Sequence, residues 1–211
     1  MENIKNELRN IICTDEPFGK KSQLKKIQNF LRRNAETNPG IKKQQHFKSK
    51  EATALIAFAK TEDLFFINEI PEENFIAAGA EQRVFSYDEF TVIKTNDSIF
   101  YSTWLDYFNS LLIHNYFFPA TAYEFLGFKI IKEVLHAVVK QDFIVATEPI
   151  NLAFVKQFLV YNGFINNRNH DYIHQDIGLI FEDLHDENVL SRNGILFFID
   201  TVFYLLDNFY E

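Results

Sequence analysis

Cysteine is nearly absent from this sequence: Cys13 is the only one in 211 residues. A lone thiol excludes an internal disulfide framework and any zinc site built on several cysteines. It suits a reducing compartment, so the cytoplasm is the expected location. Proline (5) and glycine (7) are scarce as well, which excludes collagen-like and Pro/Gly-rich disordered chains. No apolar run approaches the roughly 18 residues that suggest a membrane span. The start Met-Glu-Asn-Ile-Lys lacks the basic-then-apolar order of a signal peptide, so a soluble, unexported chain is expected. Internal repeats, low-complexity tracts and heptad runs are missing too. What the chain has is apolar bulk, with 47% hydrophobic residues, 16% aromatics and 24 phenylalanines. A packed core follows, in one domain with an N-terminal extension.

The net charge of −8 hides an asymmetry. Residues 1–60 hold 13 Lys and Arg against 6 Asp and Glu, whereas the remainder holds 8 against 23. Two parts with different work are implied. Either the basic part lies on the acidic part in cis, or it offers a surface to nucleic acid or a partner protein.

Ile4, Leu8, Ile11 and Ile12 recur at helical spacing and predict a short amphipathic helix over Glu2–Ile12. Pro17 and Gly19 break it. Leu24, Ile27, Phe30 and Leu31 start a second helix whose Lys25-Lys26 and Arg32-Arg33 doublets are candidates for phosphate contact, although no known DNA-binding motif accompanies them. Residues 34–45, with Asn38-Pro39-Gly40, are expected to form a turn or linker. Ser49 is expected to cap a third helix that gathers Ala52, Leu55, Ile56 and Ala59 on one face. Phe75 to Phe85 has the pattern strand, turn, strand with Gly79 at the tip, and Phe90 to Lys94 a third strand. A buried helix over 99–117 follows, ending on His114, whose expected role is a helix-end bond to backbone. Strands over 122–130 and 134–140 complete a set of five strands and one helix. Leu152–Leu159 predicts the next helix and Gly163-Phe164 the start of a hairpin.

The most chemically legible stretch is Ile180 to Asp200. An apolar run delivers Asp183, His185, Asp186 and Asn188, and a second run, Ile195 to Ile199, delivers Asp200. Transfer of a nucleotide's γ-phosphoryl needs an acceptor for the nucleophile's proton and oxygen ligands for Mg²⁺ on rigid supports. Asp183, Asn188 and Asp200 could supply those groups. A glycine-tipped hairpin lets backbone N–H groups approach phosphates, and Lys94 closes a β-branched run that can hold an ammonium over them.

The order of these parts resembles the protein-kinase-like superfamily. The loop Glu182-Asp183-Leu184-His185-Asp186-Glu187-Asn188 is similar to that of aminoglycoside phosphotransferases, H-G-D-L-H-x-x-N. From Gly79-Ala-Glu-Gln-Arg-Val-Phe through His114-Asn-Tyr-Phe-Phe-Pro to Phe198-Ile-Asp200, the chain resembles the kinase-like domain of bacterial and phage polyvalent proteins. The resemblance implies an α+β, minimal two-lobe kinase-like fold over residues 55–211, with an N-lobe at about 63–140 and a reduced C-lobe at about 144–211, preceded by a basic helical extension, residues 1–54. It implies ATP and Mg²⁺ as cofactors and a protein substrate. It further implies that Asp183 is the catalytic carboxylate, that Asn188 and Asp200 hold Mg²⁺ and that Lys94 neutralises the α- and β-phosphates. The backbone of Gly79, Ala80, Glu81 and Gln82 would cover those phosphates, Gln141 to Phe143 would meet adenine, and His185 would brace the loop.

Departures from the family pattern bear on activity. Glu182 stands where these enzymes have glycine or arginine, Thr201-Val202 follow Asp200 in place of Phe-Gly, and the helical glutamate that should pair with Lys94 is not obvious: Asp106 is the only acid on that helix's central turns, and Glu81 of the glycine loop is a substitute candidate. Eleven residues follow Asp200, so acceptor recognition is expected from the basic N-terminal region, from residues 144–176 or from another protein. Three function classes stay open: an active phosphotransferase, a pseudokinase that binds nucleotide or partner without catalysis, and an interaction or nucleic-acid-binding protein acting through residues 1–60.

Overall fold

The computed structural model describes residues 2–16, 22–36, 44–79 and 82–211. Five α-helices occur among them: α1 (Glu2–Cys13), α2 (Gln23–Glu36), α3 (Gln44–Thr61), α4 (Trp104–Phe117) and α5 (Leu152–Tyr161). The first five strands are β1 (Phe75–Ala78), β2 (Gln82–Ser86), β3 (Thr91–Asn96), β4 (Glu124–Ile131) and β5 (Val134–Asp142). Six short ones follow: β6 (Ile165–Arg168), β7 (Asp171–His174), β8 (Leu179–Glu182), β9 (Val189–Arg192), β10 (Ile195–Phe198) and β11 (Val202–Leu205). Every pairing between these strands is antiparallel. None of the described helices is long and apolar enough to cross a membrane.

The described residues divide into two compact units. One gathers residues 2–16, 109–122 and 144–211, the other residues 22–36, 44–79, 82–108 and 123–143.

The second unit is built on the five-stranded sheet β1-β2-β3-β5-β4, the set that the alternation of β-branched and polar residues predicts. β3 is its buried spine, with Val92 and Ile93 at 5% and 3% exposure. The first turns of α4 lay Trp104 and Phe108 on Phe128 of β4, with ring centroids 6.2 and 6.1 Å away. The outer edge of β4 is covered by Leu64–Phe66: Phe128 N donates to Leu64 O at 2.7 Å and Phe66 N to Phe128 O at 2.8 Å. Gly127 permits that approach, because a Cβ there would lie 2.6 Å from Phe66 N. The expected helix over 99–117 begins later, at Trp104, where Thr103 Oγ1 accepts from Asp106 N at 3.0 Å. Asp106 is therefore in the first turn, near the positive end of the helix dipole, and not on the central turns. The third helix begins earlier than the Ser49 cap implied; Ser49 is interior, and its carbonyl accepts from Thr53 Oγ1 at 3.0 Å. Asn34 to Glu36 and Gln44-Gln45 are likewise helical in place of linker, while Pro17, Gly19 and residues 37–43 lie outside the described residues.

Several of the basic residues of the first sixty serve their own unit. Lys25 is 2% exposed with Nζ 2.8 Å from Gln28 Oε1, and Lys26 pairs with Glu62 at 2.5 Å. Lys25 is thus spent inside the fold, whereas Lys26 makes its ion pair at the surface. Lys48 Nζ donates to the carbonyls of Ser98 and Tyr101.

In the first unit, α1 buries Leu8, Ile11 and Ile12, each of which contributes about 1.5–3 kcal/mol when removed from water. A lone 12-residue helix is marginal, so that burial holds it. Lys5 Nζ and Arg9 Nη2 then donate to the carbonyls of Asn208 and Tyr210 at 2.7 and 3.1 Å. The remainder is a four-stranded sheet, β11-β8-β7-β6, and the β9–β10 hairpin. Phe181 and Phe203, opposite one another on β8 and β11, stack with centroids 4.2 Å apart.

Two substitutions test this architecture. Burial pushes the Glu51 carboxyl up to about 7, opposed by the Trp104 N–H that donates to Oε2 at 2.7 Å; Oε1 has no hydrogen-bond partner among the described residues. The folded state therefore favours protonated Glu51. Its contribution is fully present below pH 4.5 and is lost as pH rises through 7, by at most about 3 kcal/mol. Urea denaturation at pH 5 and pH 8.5 should show wild type losing stability at the higher pH and Glu51→Gln losing far less. The β4–β5 turn places Lys132 and Glu133 at φ +48° and +68°, a geometry that favours Asn-Gly. Replacing the pair with Asn-Gly should raise stability by about 1 kcal/mol in the same assay.

Candidate active site

The described site residues fall in both units. Lys94, Gly79, Gln82, Gln141 and Phe143 belong to the sheet unit and Asp183, Asn188 and Asp200 to the other. Ala80 and Glu81 lie outside the described residues.

Lys94 lies in the middle of β3, opposite Val84 of β2 and Val139 of β5. The residue is 3% exposed, and its Nζ stands 5.5 Å from the centre of the Tyr123 ring. A hydrogen-bonded strand on each side, β2 and β5, makes this a rigid mount. Gly79 follows β1, its N–H donating to Gln82 O at 2.9 Å, and a Cβ added there would meet nothing within 4 Å. The backbone at Gly79 is thus open on that side. Gln141 is buried in β5 opposite Val92, and the Phe143 N–H is already bonded to Phe90 O at 2.7 Å. An adenine contact through that N–H would first have to break the ladder.

In the first unit two hairpin-like closures converge on one side chain. β9 and β10 pair from Val189↔Phe198 to Arg192↔Ile195, so Asn188, just before β9, and Ile199-Asp200, just after β10, meet at the open end. Ile199 N and Asp200 N both point to Asn188 O, at 3.0 and 3.4 Å. The turn that closes this hairpin is Asn193-Gly194 at φ +52° and +74°, the geometry of a two-residue type I′ turn. Its outer side is fastened by Glu148, whose Oε1 accepts from Ser191 Oγ at 2.6 Å and Gly194 N at 2.7 Å. Those bonds and the Thr147 hydroxyl lower the Glu148 pKa to about 2. β8 pairs with β11 from Glu182↔Val202 onward, so Asp183 leaves β8 beside the chain that follows Asp200.

Asp183 itself has φ +64°, a left-handed conformation that costs an L-residue about 1–2 kcal/mol and that Asp and Asn tolerate best. Four bonds hold it. Asn188 Nδ2 donates to Asp183 O at 2.8 Å and Oδ2 at 3.0 Å, His185 N donates to Asp183 O at 3.1 Å, and Asp183 N donates to Asp171 Oδ1 at 3.2 Å. The Glu187 N–H donates to His185 Nδ1 at 3.3 Å, and His185 Nε2 lies 3.1 Å from Asn188 Nδ2 and 3.3 Å from Asp183 Oδ1. A side chain fixed by its neighbours in a sparsely populated conformation is the usual mark of a functional position. Glu182, where related loops have glycine or arginine, has its pKa raised by burial and then by the carboxylates of Asp171 and Asp183.

Asp200 is positioned from behind. His114 is fully buried; its Nε2 lies 2.7 Å from Thr121 O and so carries the proton, and its Nδ1 accepts from Thr201 Oγ1 at 2.7 Å. Thr121 Oγ1 donates to Phe198 O at 2.7 Å and Ser110 Oγ accepts from Phe203 N at 2.9 Å. Thr201 is thus the anchor that holds the metal-candidate segment to α4, and His114 bonds backbone as its place near the helix end suggested. The roles of Asp171 and Thr201 and the β9–β10 hairpin were not read from sequence, where Thr201 stood only as a departure from the family pattern; the Asn193-Gly194 pair between apolar runs is the signal that identifies the hairpin.

No cluster of three or more His, Cys, Asp or Glu among the described residues is arranged to hold a metal. A carboxylate and an amide oxygen suit Mg²⁺ nonetheless, since that ion keeps several waters and takes its remaining oxygens from phosphates. Asn188 spends its NH₂ on Asp183 and retains an amide oxygen; Asp200 offers the carboxylate.

A five-stranded antiparallel sheet with a lysine on its third strand, a helix between the third and fourth strands, and an Asp-x₄-Asn loop followed twelve residues later by an aspartate make up a kinase-like set of parts. Neither the curated proteins nor the solved structures give a match to this chain. Residues 48–207 match the family of serine/threonine/tyrosine kinases found in polyvalent proteins, and the chain belongs to that family.

The role of Thr201 is testable by Thr201→Val, which leaves His114 Nδ1 buried without its donor. Urea denaturation should register a loss of about 1–3 kcal/mol, and an unchanged midpoint would remove Thr201 from the positioning of Asp200.

Proposed function

We propose that this chain is an ATP- and Mg²⁺-dependent phosphotransferase that phosphorylates a protein hydroxyl, in another chain or its own. The observation that carries the reading is the hydrogen-bonded set Asp183, Asn188 and Asp200, held on two antiparallel closures. In this reading Asp183 accepts the hydroxyl's proton as the oxygen attacks. Its carboxylate is oriented by Asn188 Nδ2 and His185 and so need not reorganise at that moment. Bound Mg²⁺ would neutralise phosphate charge, held by Asn188 and Asp200. Lys94, with the hairpin backbone of residues 79–82, serves the nucleotide's phosphates. Residues 63–140 make up the nucleotide-binding lobe and 144–211 the catalytic lobe of a domain spanning 55–211, with residues 1–54 as its extension. Acceptor recognition is assigned to residues 144–176, beside which a cavity of about 390 Å³ is lined by Glu148, Asp186 and Ser191.

A second reading, a nucleotide- or partner-binding module without catalysis, is favoured by one observation, the Phe143 N–H already engaged by Phe90. Incubation with γ-labelled ATP and Mg²⁺, read by intact mass, separates the two. Added mass on wild type and none on Asp183→Ala is the outcome expected of the phosphotransferase. If neither chain gains mass with or without candidate protein acceptors, yet ATP with Mg²⁺ at a hundred times its Kd stabilises the fold by about 2.7 kcal/mol, the binding module stands.

A further inference from the structure

The first unit holds a cavity of about 230 Å³ that the phosphoryl-transfer residues do not use. Its interior is formed by Phe164, Phe181, Phe203, Leu159 and Ile177, all buried, while Phe158 and Asn162 are exposed and mark its mouth. Such a volume exceeds the roughly 150 Å³ that admits benzene into a dry protein cavity and falls short of the roughly 300 Å³ at which sites for drug-sized ligands begin. A bicyclic ring fits that interval.

One buried polar group lines this apolar wall. His174 is 3% exposed, and its Nδ1 has no hydrogen-bond partner among the described residues. The other nitrogen is committed: Nε2 faces the Asn162-Gly163 backbone, where a Cβ on Gly163 would lie only 2.6 Å from it, and the ring donates to the Asn162 carbonyl. The proton therefore resides on Nε2, and burial, which lowers the His174 pKa, keeps the ring neutral. Nδ1 is left as a lone-pair acceptor, so whatever satisfies it must donate. A buried water needs two to four polar partners, and among the described residues the only other polar side chain lining the cavity is the exposed Asn162. An aromatic ring with one N–H meets both demands, because phenylalanine edges and faces receive a flat ring well.

We propose that this cavity is a binding site for a small, flat, bicyclic aromatic molecule carrying one hydrogen-bond donor, with His174 Nδ1 as its polar anchor. The site is separate from the nucleotide reading and stands or falls without it. The walls Phe181 and Phe203 are nevertheless the β8 and β11 residues two before Asp183 and three after Asp200, so occupancy touches the root of the loop.

Indole is the probe, and benzofuran, which replaces its N–H by oxygen, the control. Both are titrated by calorimetry and amide NMR into the full wild-type chain and into Leu159→Phe, which fills the cavity. Saturable one-to-one binding of indole, at least tenfold weaker binding of benzofuran, shifts at Phe164 and Ile177, and loss of indole binding in Leu159→Phe are expected. Ile177→Phe replaces Leu159→Phe if the latter does not fold. Equal affinity for the two probes would overturn the His174 anchor. No binding of indole at millimolar concentration, whether the cavity holds water only or nothing, would overturn the site, as would undiminished binding to the filled variant.

Discussion

Asn188 is bonded through both its ends, and the unit that carries the Asp183 loop is organised by that fact. Its carbonyl collects the N–H groups of Ile199 and Asp200, and its side-chain amide collects Asp183. One residue thereby ties the exit of β8 to the exit of β10. A carbonyl accepting two donors and an amide donating to both a backbone and a carboxylate oxygen fix relative position more closely than any packing contact, since hydrogen bonds are directional and apolar contacts are not. The surrounding devices extend this restraint outward: Glu148 fastens the far turn of the hairpin, His114 the threonine behind Asp200, and Asp171 the amide of Asp183.

Aromatic packing supplies the rigidity against which those bonds act. In the sheet unit Trp104, Phe108, Phe125 and Phe128 form one cluster with edge-to-face rings. In the other unit Phe118, Phe181, Phe198 and Phe203 form another, with Phe118 and Phe198 stacked at 4.4 Å. A chain with few glycines and prolines depends on side-chain bulk to set its corners, and the high phenylalanine content answers that need.

Legibility in the sequence follows the length scale of the interaction. The five-stranded sheet is written in local alternation and was recoverable, as were α1, α5 and the nearness of Asp183, Asn188 and the Asp200 backbone. β9 and β11 were not, because Val189–Arg192 and Val202–Leu205 are four residues each and become strands only by pairing with partners that approach from elsewhere in the chain. Helix boundaries failed for a related reason. Ser49 lies inside α3, where its carbonyl accepts from Thr53 Oγ1, and α4 starts at Trp104, whose N–H is received by Glu51, fifty-three residues earlier. The proton state of Glu51 and the fate of Lys25 depend on burial, which composition does not reveal.

The left-handed backbone at Asp183 has a consequence for how such a chain changes over generations. A β-branched residue there is disfavoured by sterics before any chemistry is considered, and Asp, Asn and Gly are the residues the backbone admits at least cost. Folding alone would therefore steer a descendant toward that small set at position 183, whatever chemistry the loop performs. Asp200 has no such backbone constraint, so an aspartate kept at position 200 says more about chemistry than one kept at position 183.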